Sequence, residues 1–118
     1  MAVKVYVSLP MAYHQKTVKA RYDKAVEEIR EKYPDAIIYG PTNIDDFDEN
    51  GLDPNAPTHS WSWHLGEDIK DLLECDYIYL TKGYFYSEGC KVEHAVAKAK
   101  RMGIWYAGDA LDKLGEDE

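Results

Sequence analysis

Four short apolar runs alternate along this chain with three longer stretches in which apolar residues recur every three to four positions. That alternation limits the fold more than any other feature. Strands that follow one another through helices lie parallel, and their crossovers are right-handed. Val3–Val7 is β-branched and apolar at nearly every position, the pattern of a strand buried on both faces, and Ser8-Leu9-Pro10 ends it. From Lys16 to Tyr33 the residues Val18, Tyr22, Ala25, Val26, Ile29 and Tyr33 keep helical spacing until Pro34. Ala36–Tyr39 is a second strand, broken by Gly40-Pro41. Ser60 is placed to cap a second helix reaching about Glu74, with Trp61, Leu65, Ile69 and Leu72 on one face. Tyr77–Leu80, a helix over Gly89–Met102 and a strand at Ile104–Ala107 complete the series, with at most a stub at Leu111–Leu114. The predicted sheet is parallel, carries helices on both faces and has the strand order 2-1-3-4.

In such a sheet the ligand crevice lies past the carboxyl ends of the strands where the winding reverses, here between the first and third strands. Two loops therefore frame it, Ser8–Lys16 and Thr81–Gly89. The segment from Pro41 to about His59 reads as one long polar loop; in so small a domain such a loop is either disordered or functional.

Charge and composition narrow the partners. With 22 acidic against 14 basic residues and a net charge of -8, the chain's field repels polyanions, so no nucleic acid polymer is expected, whereas a single nucleotide in a local pocket is compatible. No apolar run approaches the roughly 20 residues of a membrane span, and Met1–Tyr6 lacks the apolar core of a signal peptide; no membrane contact and a cytoplasmic location are expected. Cys75 and Cys90 are too few for a disulfide framework or a zinc quartet and read as reduced thiols. The 118 residues predict a single domain over 1–118.

Several side chains could carry chemistry. Glu93 falls in the first turns of the third helix, on the shoulder of a face made by Val92, Val96 and Ala99. There it is either a partly desolvated nucleophile or base, or a solvated glutamate favoured by the helix dipole. Ser87 is a good N-cap, and with Gly89 it also makes an anion site suited to one phosphate. Asp68 borders the buried face of the second helix and reads equally as a crevice carboxylate or a surface one. Tyr6 is a core tyrosine whose hydroxyl, near a strand's carboxyl end, could touch ligand. Trp61, Trp63, Tyr84, Phe85 and Tyr86 offer aromatic surface that could stack a base or serve as core. The string Asp46-x-Asp48-x-Asn50-Gly51 starts like a calcium loop, but Pro57 stands at its twelfth position. His59 and His64 are five apart without a clustered third ligand, so no metal site is expected.

Taken together, the opening Tyr-Val-Ser-x-Pro-Met strand and loop, Glu67-Asp68-Ile69 followed by Cys75-Asp76-Tyr77-Ile78, and Ser87-x-Gly89-x-x-x-Glu93 with an Ala-rich helix behind it resemble the nucleoside 2-deoxyribosyltransferase superfamily. Within it they are most similar to the small branch that cleaves the N-glycosidic bond of 2'-deoxynucleoside 5'-monophosphates. The resemblance spans Val3 to about Ala107. It implies Glu93 as nucleophile, Asp68 as proton donor or sugar contact, and Tyr6 in the site. It also implies Ser8, Ser87 and Gly89 around the substrate. Ser87 stands six residues before Glu93, where transferases acting on free nucleosides tend to carry Asp and monophosphate hydrolases Ser. Two departures stand out. The Ser8–Tyr13 loop has neither the glycines nor the Arg of the nucleotide hydrolases, leaving His14, Lys16 or Lys91 for a phosphate. The acidic end Leu114–Glu118 offers no clear counterpart to the residue that a neighbouring subunit lends in that family.

The expectation is thus a flavodoxin-like (Rossmann-like) three-layer α/β domain, a homodimer or larger, that acts on a small nucleotide or nucleoside without metal or organic cofactor. Three alternatives stay open: a non-catalytic nucleotide-binding module of the same fold, a deoxyribosyltransferase acting on free nucleosides, and an NAD-type glycohydrolase. A purely structural oligomer would leave Glu93 and the long loop without a role.

Overall fold

A computed structural model describes residues 2–115. Met1, at the head of the stretch read for a leader, and residues 116–118 of the acidic tail lie outside them. The main sheet is built from β1 (Lys4–Ser8), β2 (Ile37–Tyr39), β5 (Tyr77–Leu80) and β6 (Gly103–Tyr106), all parallel, in the spatial order β2-β1-β5-β6. This is the expected 2-1-3-4 winding and a flavodoxin-like fold. Between β2 and β5 lie a two-stranded hairpin, β3 (Phe47–Asp48) with β4 (Gly51–Leu52), and the helix α2 (Trp61–Leu73). The other helices are α1 (Val18–Lys32) and α3 (Glu88–Lys100).

Side-chain alternation along the strands sorts the layers. Val7 pairs with Tyr79, and the Tyr79 hydroxyl reaches Glu28 of α1. Tyr6 pairs with Ile78 and Ser8 with Leu80, and both Tyr6 and Ser8 reach Glu93 of α3. Helix α1 therefore covers one face and α3, with α2 beside it, the other. Val5, Tyr6, Val7, Ile78, Tyr79 and Leu80 are all buried, as strands covered on both faces require. Asp76 clips β1 to β5 at the start of both: its amide donates to the Lys4 carbonyl at 2.8 Å, and its carboxylate accepts the Lys4 amide at 2.9 Å. At Gly103 a Cβ would stand 2.4 Å from the Tyr77 ring, so only glycine lets β6 start against β5.

Element edges differ from expectation for local reasons. The first helix begins at Val18, because Gln15–Thr17 form a tight turn after His14, which is left-handed at φ 52°. The second strand and the third helix are shorter than predicted, the helix stopping where Arg101 turns left-handed. Residues 41–59 are not one plain loop. The calcium-like string folds as the β3–β4 hairpin, in which Asp48 accepts the Asn50 amide at 2.7 Å and Gly51 takes φ 97°. Ser60 does cap α2, accepting from the Trp63 amide at 3.1 Å. The face of α2 is redrawn: Leu72 and Asp68 are buried, whereas Trp61 is 60% exposed.

Candidate active site

A cleft of about 620 Å³ opens at the carboxyl ends of β1 and β2, where Leu9, Pro41 and Asn43 line it, and reaches the start of α3. Its walls come from the segment after β1 (Leu9, Met11, Tyr13), from the β3–β4 region (Phe47, Leu52), from α2 (Trp61, His64, Asp68) and from the start of α3 (Ser87, Gly89, Glu93). The cavity thus borders β1, one of the two strands at the expected switch point, and extends toward β2 rather than along the loop after β5. The expected loop after β5 contributes only its end, since Tyr84, Phe85 and Tyr86 do not line the cleft. Tyr84 packs edge-on against His94 instead, and Tyr86 receives the Leu114 amide. Trp63 stacks on His59 at 3.7 Å and leaves the cleft wall to Trp61.

Glu93 is the best-held carboxylate of the cleft. It is not on the shoulder of a Val92–Val96–Ala99 face. The buried stripe of α3 is Cys90, Glu93 and Ala97, and Ala99 is exposed; Cys90 and Ala97 join the apolar core, while Glu93 between them meets two hydroxyls of β1. The Tyr6 hydroxyl donates to Oε2 at 2.7 Å and the Ser8 hydroxyl to Oε1 at 2.8 Å. Only 5% of Glu93 is exposed. Burial pushes its carboxyl up to about 7; the two hydroxyls oppose that shift, and the nearby Asp68 charge adds to it. Burial, then Glu93, holds the Tyr6 hydroxyl well above its ordinary range, so Tyr6 stays a donor. Tyr6 and Ser8 stand behind Glu93, fully buried, rather than on the cleft wall.

Asp68 lies on the cleft wall, 9% exposed. Its Oδ1 accepts the Thr42 amide at 2.9 Å. Burial raises its carboxyl, and the Thr42 amide and hydroxyl oppose the shift. Two carboxyls of raised affinity for a proton thus share one cleft. Cys90, next to them, has its thiol pushed up to about 12 by burial, so it is no thiolate nucleophile.

At the mouth, Ser87 caps α3, its hydroxyl accepting the Cys90 amide at 3.4 Å. A Cβ on Gly89 would meet nothing within 4 Å, so the cleft comes right up to the backbone of the first helical turn. Among the described residues lining the cleft there are three carboxylates, Asp68, Glu88 and Glu93, and neither Lys nor Arg. His14, Lys16 and Lys91 all stand off it; Lys91 pairs with Glu88 at 3.1 Å. Among the described residues no group of three His, Cys, Asp or Glu side chains is placed to hold a metal ion.

Four contributors escaped sequence reasoning. Thr42 and Asn43 sit in a segment with no periodicity, although its length marked it. His64 was weighed only as a metal ligand, while its i, i+4 spacing to Asp68 was there to be read. Arg21 of α1 holds the loop after β1, donating to the carbonyls of Pro10 at 2.9 Å and Tyr13 at 3.0 Å and to the Thr17 hydroxyl at 3.0 Å.

Comparison with known proteins agrees with the fold. The chain superposes on a 2-desoxiribosyltransferase from Leishmania mexicana with a TM-score of 0.60 and 17% identity, covering 97% of this chain and 79% of that one. It superposes on a conserved protein from Enterococcus faecalis V583 with a TM-score of 0.65 and 21% identity, covering 100% of this chain and 70% of that one. At these identities the likeness is one of fold. No curated protein sequence matches. A family model, Domain of unknown function (DUF4406), matches residues 3–106, nearly the whole sheet and its helices, and the chain belongs to that family.

Proposed function

We propose that the cleft breaks the N-glycosidic bond of a (2'-deoxy)nucleoside or its 5'-monophosphate, by hydrolysis or by transfer of the sugar to a second base. The observation that carries this reading is Glu93: a carboxylate with two fixed donors, nine-tenths buried, at the wall of a cleft it shares with Asp68. The 2-desoxiribosyltransferase of like fold supports it.

In this mechanism an ionised Glu93 oxygen bonds to the anomeric carbon as the C–N bond breaks through an oxocarbenium-like transition state. The electron pair of that bond leaves with the base, which takes the proton of Asp68. Water, or the N–H of a second base, then gives its proton to Asp68 and attacks the same carbon, and Glu93 leaves as carboxylate. Tyr6 and Ser8 orient Glu93 and hold its charge. Atoms and charge balance with no cofactor.

The Ser87 hydroxyl and the opening amides of α3 at Glu88 and Gly89 suit a 5'-phosphate. A specific observation favours the second reading, a free nucleoside. Three carboxylates without a Lys or Arg among the described lining residues repel a dianion and suit a neutral sugar. Chromatography of free base released from a panel of nucleosides and 5'-monophosphates by wild type and Glu93→Gln tests both. Release by wild type alone is expected, and which half of the panel is consumed names the substrate class. Tight binding without release by either protein makes the cleft a sequestering module.

A further inference from the structure

We infer that the base taken by this cleft is a cation: the substrate is an N-glycoside of a positively charged heteroaromatic ring, a pyridinium or an N7-alkylated purine, whose charge faces Asp68 and whose ring lies against Trp61 and Tyr13. The inference rests on the N-glycosidic reading and names its substrate class.

Two features of the walls ask for different things. Leu9, Met11, Tyr13, Phe47, Leu52 and Trp61 give the cleft an apolar, partly aromatic surface, with Tyr13 and Trp61 exposed. Such a surface takes a flat ring. Asp68 of α2 and Glu93 of α3 bring two enclosed carboxyls to the same space. Asp68 gives Oδ1 to the Thr42 amide at 2.9 Å, which leaves Oδ2 for what the cleft holds. No Lys or Arg among the described lining residues answers these charges. His64, one turn before Asp68 on α2, has its Nδ1 3.0 Å from the Thr42 hydroxyl, and Glu88 is paired with Lys91 at 3.1 Å. A heteroaromatic cation supplies both the flat ring and the missing charge. Aromatic faces attract it, and because its charge is spread over the ring it costs less to enclose than a compact ammonium.

The charge also suits the chemistry. Glu93 has to be ionised to attack, and the Asp68 charge is one of the causes that hold its proton on. A cation against Asp68 offsets that field and favours the Glu93 carboxylate. A Glu93 oxygen then bonds to the anomeric carbon, and the electron pair of the C–N bond returns to the ring nitrogen, ending its positive charge. A neutral base needs the proton of Asp68; this one departs neutral without it. Water next gives a proton to the Asp68 carboxylate and its oxygen to the anomeric carbon, and Glu93 leaves as carboxylate.

Matched ligands test this on the full chain. In Glu93→Gln, slow enough to keep the substrate intact, nicotinamide riboside is expected to bind about tenfold more tightly than benzamide riboside, its neutral carbon-linked isostere, in titration calorimetry. N7-methylguanosine against guanosine repeats the comparison for a purine, and the pair with the larger gap names the ring. Asp68→Asn added to Glu93→Gln is expected to bring the two isosteres within about threefold of each other. Trp61→Leu, at an exposed ring, is expected to narrow the gap by about threefold in the same background. Wild type is expected to release the base from the preferred cation. Equal binding of the isosteres overturns the inference, as does a gap that both Asp68→Asn and Trp61→Leu leave untouched. Release from neutral nucleosides together with equal binding keeps the N-glycosidic reading and removes the cation alone, whereas no release from any substrate removes both.

Discussion

Two tyrosine–glutamate pairs tie a helix to the sheet, one on each face. Tyr6 of β1 donates to Glu93 of α3, and Tyr79 of β5 donates to Glu28 of α1. In both, burial is the first cause that lifts the tyrosine hydroxyl above its ordinary range. The pairs differ in what else reaches the carboxylate. Glu93 has Ser8 as a second donor, shares its cleft with Asp68 and is almost fully enclosed. Glu28 is half-buried beside a smaller hollow of about 250 Å³ whose walls carry Arg21, Lys24 and Lys82. A Tyr–Glu bond is therefore a general fastening between layers. Asp109 is an acid neighbour of Glu28 as well, so enclosure, the Ser8 donor and a lining without Lys or Arg are what separate the site from the fastening.

The largest effect should fall between the two glutamates. Glu93→Gln is expected to lower base release by about three orders of magnitude or more, with ligand affinity kept, since a nucleophile is needed only in the transition state. Glu28→Gln should leave the rate within about threefold. Equal, small losses would dissolve the contrast and return Glu93 to the role of Glu28.

The same enclosure has a cost in stability that depends on pH. An unfolded glutamate releases its proton near 4.5, and the folded one holds it to about 7. Between these values the native state binds more protons than the unfolded state, so stability falls as pH rises through that window, by up to about 3 kcal/mol, and levels off above it. Asp68, also raised, acts in the same direction. Urea unfolding at pH 5 and pH 8 should show wild type losing stability and Glu93→Gln losing much less, leaving the variant the more stable protein at pH 8. Parallel losses in the two proteins would mean that Glu93 is not enclosed as described.

Within the cleft the productive form carries an ionised Glu93 and a protonated Asp68, so the rate is expected to fall on both sides of an optimum, the two values belonging to the pair because the carboxyls interact. Asp68→Asn should cost about a hundredfold and flatten the alkaline limb alone. A profile of unchanged shape would leave Asp68 as a scaffold for Thr42.

How much of this was legible in the sequence follows from the reach of each signal. The strand order, the three helices and the Ser60 and Ser87 caps rest on periodicity within a dozen residues, and they stand. Glu93 and Asp68 could be named, but their enclosure could not. Glu93 meets Tyr6 and Ser8 across 87 and 85 residues, and Thr42 meets Asp68 across 26, distances over which a single sequence carries no periodic trace. For the same reason the expected face of α3 took in Ala99, which is exposed, and passed over Ala97, which is buried. Which apolar positions of a helix face the sheet depends on what the strands present, and here they present two hydroxyls to a carboxylate.

A smaller effect tests substrate class at the mouth. Hydrogen bonds to charged groups are worth about 1.5 to 3 kcal/mol, so if Ser87 holds a phosphate, Ser87→Ala should reduce the preference for a monophosphate over its nucleoside by roughly tenfold. Ser87→Asp should reverse it. If wild type already prefers the free nucleoside, as the cation-free lining favours, Ser87 is the cap of α3 alone, and its loss costs about 1 kcal/mol of stability.

The smallest effect returns to the second pair. Tyr79 is fully buried, but its partner Glu28 is half open to water, so solvent screens the bond between them. Tyr79→Phe keeps the ring against Trp105, 4.9 Å away and edge-on, and removes only the hydroxyl. The expected loss is about 1 kcal/mol in urea unfolding, with base release unchanged. Tyr6→Phe should do the opposite, because it takes from Glu93 one of the two donors that hold its charge: base release falls, and the acid limb of the rate moves to higher pH. If Tyr79→Phe slowed base release as much as Tyr6→Phe, the faces of the sheet would be coupled, and the separation between site and fastening would have to be given up.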